Sequence, residues 1–141
     1  MTNSTIIQAT ALTYGHGTGQ VLKLDDPVSF WGGIDHNGMI NDVHHPQHGV
    51  YVTERVLAMT SGRGSSSGAY CLMELLRLDL APAGIVLCEP DGIISLGALA
   101  AAEIYDKWLP IIEISLSDFE ILQDGVTAKV DSAVTGASIT Y

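Results

Sequence analysis

The chain has 141 residues, of which 47% are hydrophobic and 16% charged, so it is long enough for one domain with a core and too apolar for a disordered chain. Its formal net charge of −10 argues against nucleic acid and anionic membranes as partners, because phosphate groups need Lys and Arg to neutralise them. The start "MTNSTIIQAT" lacks a cationic region, and no apolar run approaches membrane-spanning length, so we expect a cytoplasmic protein without a signal peptide.

The first sixty residues predict short strands around one long irregular segment. The runs "TIIQATALTYG" and "GQVLKL" are rich in β-forming residues, and "GHGTG" between them predicts a hairpin or a glycine-containing loop. Residues 25–49 are dense in Gly, Pro, Asn, Asp and His and lack periodicity, which is typical of a functional loop or a cover. "RVLAMT" then predicts a strand that leads into "TSGRGSSSGAY", residues 60–70.

The second half of the chain predicts alternating helices and strands. From Ser66 onward, apolar residues recur at steps of three and four and predict an amphipathic helix, with the stripe Ala69, Leu72, Met73, Leu76 and Leu80. "AGIVLCE" predicts a buried strand, "LGALAAAEIYDKW" a second helix and "IIEI" another strand, followed by a short helical turn and two antiparallel strands. We therefore predict one α/β domain, residues 1–141, with a central parallel βαβ unit and β-rich ends.

The segment "SGRGSSSG", residues 61–68, carries the strongest chemical signal. A flexible linker is excluded because the segment joins a strand to a helix inside one domain. No Lys-Ser/Thr pair follows it, and its G-x-G-x-x-x-G spacing misses the dinucleotide pattern by one residue, so no nucleotide cofactor is indicated. Two interpretations stay open: the serines cap the helix and the glycines permit a tight turn, or a serine hydroxyl and Arg63 act on a ligand at the carboxyl end of the sheet.

Four segments stand out between residues 29 and 101, namely "SFWGGID", "HHP", "SGRGSSSGAYCLMELL" and "LAPAGIVLCEPDGIISLGALAA", within a likeness that runs from about residue 10 to about residue 115. Together they resemble the swivel domain, or small subunit, of the aconitase X family. The resemblance implies a swivelling β/β/α domain that closes over a larger catalytic part. It also implies that this larger part carries the iron site and its cysteine ligands.

The resemblance also implies roles for residues of the segment "SGRGSSSG". In the wider superfamily the first serine of a Gly-Ser-Ser element is the catalytic base, and here that element is Gly64-Ser65-Ser66. Ser65 is therefore the expected base, and Arg63, Gly64, Ser66 and Ser67 are the expected substrate-binding residues. Ordinary aconitases continue with Arg-Glu-His, whereas Ser67-Gly68-Ala69 follow here, so the substrate-binding arginine of that pattern has no counterpart.

The implied function is that of a hydro-lyase subunit. Aconitase X enzymes dehydrate cis-3-hydroxy-L-proline in bacteria and mevalonate 5-phosphate in archaea. The low Lys and Glu content of this chain is unlike that of hyperthermophilic archaeal proteins and therefore favours the first substrate. The iron or iron–sulfur centre is expected in the partner large subunit of a heterodimer or larger complex, and the isolated chain is expected to be inactive and to bind no cofactor. The alternatives are the small subunit of mevalonate 5-phosphate dehydratase and, from another class, a non-catalytic module that binds a small anion.

Other candidate residues carry weaker signals. His44, His45 and His48 have a spacing that suits metal ligands only on a helix, and Pro46 argues against one, so we expect a solvated or interface-lining loop. The segment "FWGG", residues 30–33, is either an apolar cover over the site or a core anchor, and Asp35 is either an N-cap or a turn residue. Cys71 and Cys88 stand alone in apolar surroundings and predict core residues.

Overall fold

The computed structural model describes residues 4–141 and contains a barrel of seven strands with three helices. The elements in chain order are β1 (Ile6–Thr13), β2 (Gly15–Lys23), β3 (Val56–Ala58), α1 (Gly68–Arg77), β4 (Gly84–Leu87), α2 (Gly92–Tyr105), β5 (Ile111–Glu113), α3 (Leu116–Ile121), β6 (Thr127–Ala133) and β7 (Gly136–Thr140). The strands close in the order β1-β5-β4-β3-β2-β6-β7. The predicted α/β class, with a β-rich start and end, is confirmed.

The centre of the fold is the β3-α1-β4-α2-β5 unit, whose strands pair in parallel. Every residue of β3 and β4 is buried, as expected for parallel strands that are covered on both faces. Because side chains alternate along a strand, Leu57 and Ile85 pack in a cluster with α1 and α2, whereas Val56 and Val86 pack in a second cluster with β6 and β7. The predicted βαβ unit is confirmed.

The prediction for "GHGTG", residues 15–19, is wrong. These residues lie within β2 and pair antiparallel with β6, and β1 pairs with β5 and β7 instead of forming a hairpin with β2. A side chain at Gly17 would overlap the carbonyl of Ala83, and one at Gly19 would overlap the carbonyl of Glu54. The glycines therefore permit two connecting segments to approach the strand closely.

The two long helices differ in how they begin, because only α2 has a side-chain N-cap. Helix α1 buries the predicted Ala69, Leu72 and Leu76, whereas Met73 is only partly buried and Leu80 lies beyond the end of the helix at Arg77. Helix α2 starts at Gly92, four residues before the start of the predicted segment, because the Asp91 carboxylate accepts hydrogen bonds from the backbone N–H groups of the first turn at 2.9 Å. Among residues 4–141, no helix has the length and apolar character needed to cross a bilayer.

The segment between β2 and β3 is irregular, as predicted, and packs on the α1 side of the barrel. Phe30 is buried in the core cluster that contains α1 and α2, whereas the neighbouring Trp31 is 58% exposed. The "FWGG" segment therefore contains both a core anchor and an exposed aromatic residue. Asp35 is a turn residue, because its Oδ1 accepts hydrogen bonds from the backbone N–H groups of Asn37 and Met39.

The histidine segment is structural at its centre. His45 is 6% exposed; its Nδ1 accepts a hydrogen bond from the Gln47 backbone N–H, which leaves Nε2 as the donor to the Asp26 carbonyl at 2.7 Å. The expectation of a solvated loop is therefore wrong for His45, although His44 and His48 are exposed. The described residues contain no group of three or more His, Cys, Asp and Glu side chains that could hold a metal ion.

Candidate functional site

The serine loop, residues 59–67, connects the carboxyl end of β3 to the start of α1. Its first residues extend the sheet, because Met59 N–H donates to the Val86 carbonyl and Cys88 N–H donates to the Thr60 carbonyl, both at 3.0 Å. The loop then turns outward, where Arg63 forms an isolated parallel bridge with Ser29 of the irregular segment. Two parts of the chain that are far apart in sequence therefore meet at the carboxyl edge of the parallel strands, where α/β proteins place their ligands.

Two glycines allow the serine loop to pass between its neighbours. Gly64 has a φ of +108°, which favours glycine, and a side chain there would overlap the side chain of Ser29. A side chain at Gly62 would overlap the Asp91 carboxylate at the start of α2. The loop is therefore held between the irregular segment on one side and the amino end of α2 on the other.

Ser65 lies at the amino end of α1 with its side chain exposed. Its Oγ accepts a hydrogen bond from the Ser67 backbone N–H at 3.3 Å, and its carbonyl accepts one from Gly68 N–H at 3.0 Å. Ser67 occupies the N-cap position, but its side chain makes no capping hydrogen bond. The capping interpretation of the serines is therefore wrong for Ser67, and the hydroxyl that contacts this turn is that of Ser65.

An open groove of about 600 Å³ runs beside the loop. Polar, charged and aromatic side chains from both segments line it, namely Ser29, Trp31, Asp42, Arg63 and Ser65. The Ser29 hydroxyl donates to the Trp31 carbonyl at 2.7 Å and accepts from the Trp31 N–H at 3.1 Å, which orders the backbone that carries the exposed indole. Arg63 and Ser65 thus share one cavity, whereas Ser66 and Ser67 are not among the residues that line it.

The groove contains one cationic and one anionic side chain. In the part of the chain that the structure describes, the ion pairs within 4.0 Å join Arg77 to Glu74, Lys107 to Asp79 and Lys129 to Asp131. Neither Arg63 nor Asp42 belongs to any of these pairs. Both charges are therefore available to a bound molecule.

The two cysteines are poor candidates for nucleophiles or metal ligands. Cys71 lies within α1 and Cys88 directly follows β4, and each is partly buried against a different core cluster. Burial raises the pKa of the Cys71 thiol, and burial together with the carboxylates of Glu89 and Glu113 raises the pKa of the Cys88 thiol. Because the thiolate is the reactive and metal-binding form, neither thiol is well suited to either role. Both cysteines are partly buried residues that pack against the core, so the prediction of core residues holds only in part.

The sequence predicted Arg63, Ser65 and the "FWGG" segment as candidate site residues but did not indicate two other residues of the groove. Ser29 and Asp42 lie in the irregular segment, where no periodicity indicates which side chains face a ligand. Asp91 was also missed as the residue that positions the loop. An Asp directly before a helix is a usual N-cap signal, so "CEPDGII" could have predicted its role.

The closed mixed barrel, with its serine loop between a parallel strand and a helix, defines an α/β domain with an open groove at the strand ends. The family profile described as "Aconitase X swivel domain" matches residues 6–139. The chain therefore belongs to the aconitase X swivel-domain family, and the resemblance seen in the sequence is confirmed. A crystal structure of Thermococcus kodakaraensis aconitase X in its holo-form has the same fold, with a TM-score of 0.82 and 25% identity over 96% of this chain and 98% of that one.

Curated relatives fall into two groups. The chain is 40% identical over 112 residues to cis-3-hydroxy-L-proline dehydratase of Pseudomonas aeruginosa, covering 79% of this chain and 19% of that protein. It is 30% identical over 128 residues to the phosphomevalonate dehydratase small subunit of Methanothermobacter thermautotrophicus, covering 89% of this chain and 93% of that subunit. The chain spans about one fifth of the length of the cis-3-hydroxy-L-proline dehydratases that it matches.

Proposed function

We propose that this chain is the swivel-domain small subunit of an aconitase X-type hydro-lyase that dehydrates cis-3-hydroxy-L-proline, with Ser65 as its base. The observation that carries the proposal is the position of Ser65 beside Arg63 in an open groove at the carboxyl end of β3. The identity of 40% to a cis-3-hydroxy-L-proline dehydratase supports this substrate. We also propose that residues 1–141 act as a single domain in the cytoplasm.

The proposed reaction assigns one proton transfer to Ser65. Its Oγ takes the proton from the carbon next to the substrate carboxylate, the C–H electron pair forms the new double bond, and the hydroxyl group leaves from the adjacent carbon. A serine hydroxyl is a weak base, so the alkoxide needs stabilisation. The Ser67 N–H, which donates to Ser65 Oγ, and the positive end of the α1 dipole supply it.

In this proposal the substrate is bound by four other loop residues, Arg63, Gly64, Ser66 and Ser67. The Arg63 guanidinium pairs with the substrate carboxylate, which holds the neighbouring C–H bond toward Ser65. Gly64 contributes its backbone, which approaches the groove closely because it has no side chain. Ser66 and Ser67 do not line the groove, so their expected contacts with the substrate stay a prediction from the resemblance.

The site is completed by a partner in this proposal. The groove is open, and the chain corresponds to about one fifth of its longer relatives, so most substrate contacts come from a large subunit in a heterodimer or larger complex. Residues 4–141 do not fit an iron or iron–sulfur centre, because Cys71 and Cys88 lie in different clusters and both thiols have raised pKa values. We therefore assign any such centre to the partner and no chemical step to a metal held by this chain.

The second candidate is the small subunit of a mevalonate 5-phosphate dehydratase. One observation favours it: the chain covers 93% of a phosphomevalonate dehydratase small subunit, so the two have matching lengths. A non-catalytic module that binds a small anion through Arg63 and the start of α1 is the candidate from another class. Such a module would bind its ligand without a partner.

Reconstitution tests the proposal. The chain is co-expressed with its large subunit, and dehydration of cis-3-hydroxy-L-proline and of mevalonate 5-phosphate is assayed in parallel. We expect turnover of the first substrate and a loss of kcat of at least about 100-fold in Ser65→Ala. The control Ser61→Ala, in the same segment but outside the groove, should keep a near-normal kcat. Near-normal turnover by the Ser65→Ala complex would remove Ser65 as the base, and ligand binding by the isolated chain without any activity of the complex would favour the binding module.

A further inference from the structure

We infer that Asp42 and Arg63 form a two-charge recognition site for a zwitterionic imino acid, in which Asp42 binds the ring ammonium and Arg63 the carboxylate. The inference rests on the proposed function and adds a residue that selects the substrate. Asp42 and Arg63 come from different loops but line the same groove as Ser65. Within residues 4–141, no ion pair within 4.0 Å joins or involves them, so each charge faces the groove without a protein counter-ion.

The Asp42 side chain is held in place by an ordered turn. Its Oδ1 accepts a hydrogen bond from the His44 N–H at 3.0 Å, and its carbonyl accepts one from the His45 N–H at 3.0 Å. His45 is buried and bonded in turn to the Asp26 carbonyl, which anchors the turn to the rest of the segment. The structure shows no hydrogen-bond partner for Asp42 Oδ2 among the described residues, so this oxygen can accept from a ligand without breaking the turn.

The charges of the groove match those of cis-3-hydroxy-L-proline. At neutral pH this substrate has a carboxylate and a secondary ammonium group on the same carbon, and that carbon loses the proton. One guanidinium and one carboxylate in the groove that Ser65 also lines therefore match both charged groups of the substrate. Trp31 lines the same groove, is 58% exposed, and has an aromatic ring of the kind that attracts a cationic group.

The same groove suits a phosphorylated acid poorly. Mevalonate 5-phosphate carries a carboxylate and a phosphate of about −1.5 to −2 charge and has no cationic group. Arg63 is the only cation among the described residues that line the groove, and Asp42 would repel either anionic group. The chain's net charge of −10 adds to this repulsion. The groove therefore selects against the substrate of the second candidate function.

The test uses the reconstituted complex and the variant Asp42→Asn. Asparagine keeps the oxygen that accepts from His44 N–H, so the turn is preserved while the negative charge is lost. We expect the KM for cis-3-hydroxy-L-proline to rise at least about tenfold with a smaller change in kcat. Asp131→Asn on β6, away from the groove, is the matched control and should leave both constants unchanged.

A pair of inhibitors separates an ammonium site from a general loss of affinity. L-proline and (S)-tetrahydrofuran-2-carboxylate have the same ring size and carboxylate, but only proline carries the ammonium. We expect the wild-type complex to bind proline at least about tenfold more tightly, and this preference to collapse in Asp42→Asn. If the preference survives in Asp42→Asn, the role of Asp42 is wrong while the proposed function stands.

Two further outcomes bear on the substrate itself. A complex that dehydrates mevalonate 5-phosphate as efficiently as cis-3-hydroxy-L-proline would overturn the charge-matching inference. A correctly assembled complex that dehydrates neither compound would overturn the proposed function, and with it the inference that rests on it.

Discussion

Gly64 lies directly against the side chain of Ser29, at the point where the serine loop crosses the irregular segment. The two residues are 35 positions apart in sequence, yet the φ of +108° at Gly64 brings the loop backbone against the Ser29 hydroxyl group. That hydroxyl also holds both backbone polar groups of Trp31. This crossing sets the relative position of Ser65 and the far wall of the groove.

The variant Gly64→Ala should disrupt this crossing. Its side chain would overlap Ser29 in addition to straining the backbone, so we expect a loss of most activity in the complex and a loss of stability of more than about 1 kcal/mol. Gly49→Ala is the matched control, because Gly49 has a φ of +89° but open space around its Cβ position. Equal effects of the two variants on activity would show that the contact with Ser29 does not affect the activity of the complex.

Asp91 should stabilise both α2 and the serine loop. Replacement by alanine removes the acceptor for the Ile93 and Ile94 N–H groups, so we expect a loss of about 1 kcal/mol and a Tm lower by about 2–5 °C. Asp91→Asn keeps an N-cap oxygen and should retain most of the stability. Thermal unfolding monitored by circular dichroism measures both variants, and an unchanged Tm in Asp91→Ala would contradict the capping role.

Arg63 should contribute to substrate affinity more than to turnover. In the reconstituted complex, Arg63→Ala removes the only cation among the described residues of the groove, so we expect KM to rise by about 10- to 100-fold. Arg77→Ala is the control, because Arg77 pairs with Glu74 on the exposed face of α1. Steady-state kinetics measures KM and kcat for both variants, and an unchanged KM in Arg63→Ala would remove Arg63 from the binding residues.

The cysteines should make the folded chain less stable at alkaline pH. Folding raises the pKa of both thiols, so above their ordinary pKa the unfolded chain releases protons that the folded chain still holds. Stability therefore falls as pH rises from the unfolded pKa, near 9.0, toward the raised folded values. Urea unfolding between pH 7 and 10 should show a steeper loss for the wild type than for Cys71→Ala/Cys88→Ala, and parallel curves would argue against the shifts.

Local sequence was sufficient for the central unit and for the place of the candidate base. The strands β3 and β4 and the helix α1 can be predicted from the chain itself. A strand buried on both faces is a continuous apolar run, and a helix buried on one face repeats its apolar residues at steps of three and four. Ser65 was placed at a strand-to-helix turn by the same pattern. Its assignment as the base came from the resemblance and stays a prediction.

Tertiary structure decided the features that depend on distant contacts. "GHGTG" became part of β2 because Ala83 and Glu54 approach Gly17 and Gly19 from other segments, and local sequence does not record such neighbours. Asp42 and Ser29 joined the groove because the irregular segment folds back across the barrel beside Arg63. The sequence alone therefore determined the order of the elements and the serine loop, and only the packing of segments far apart in the chain decided which side chains share its groove.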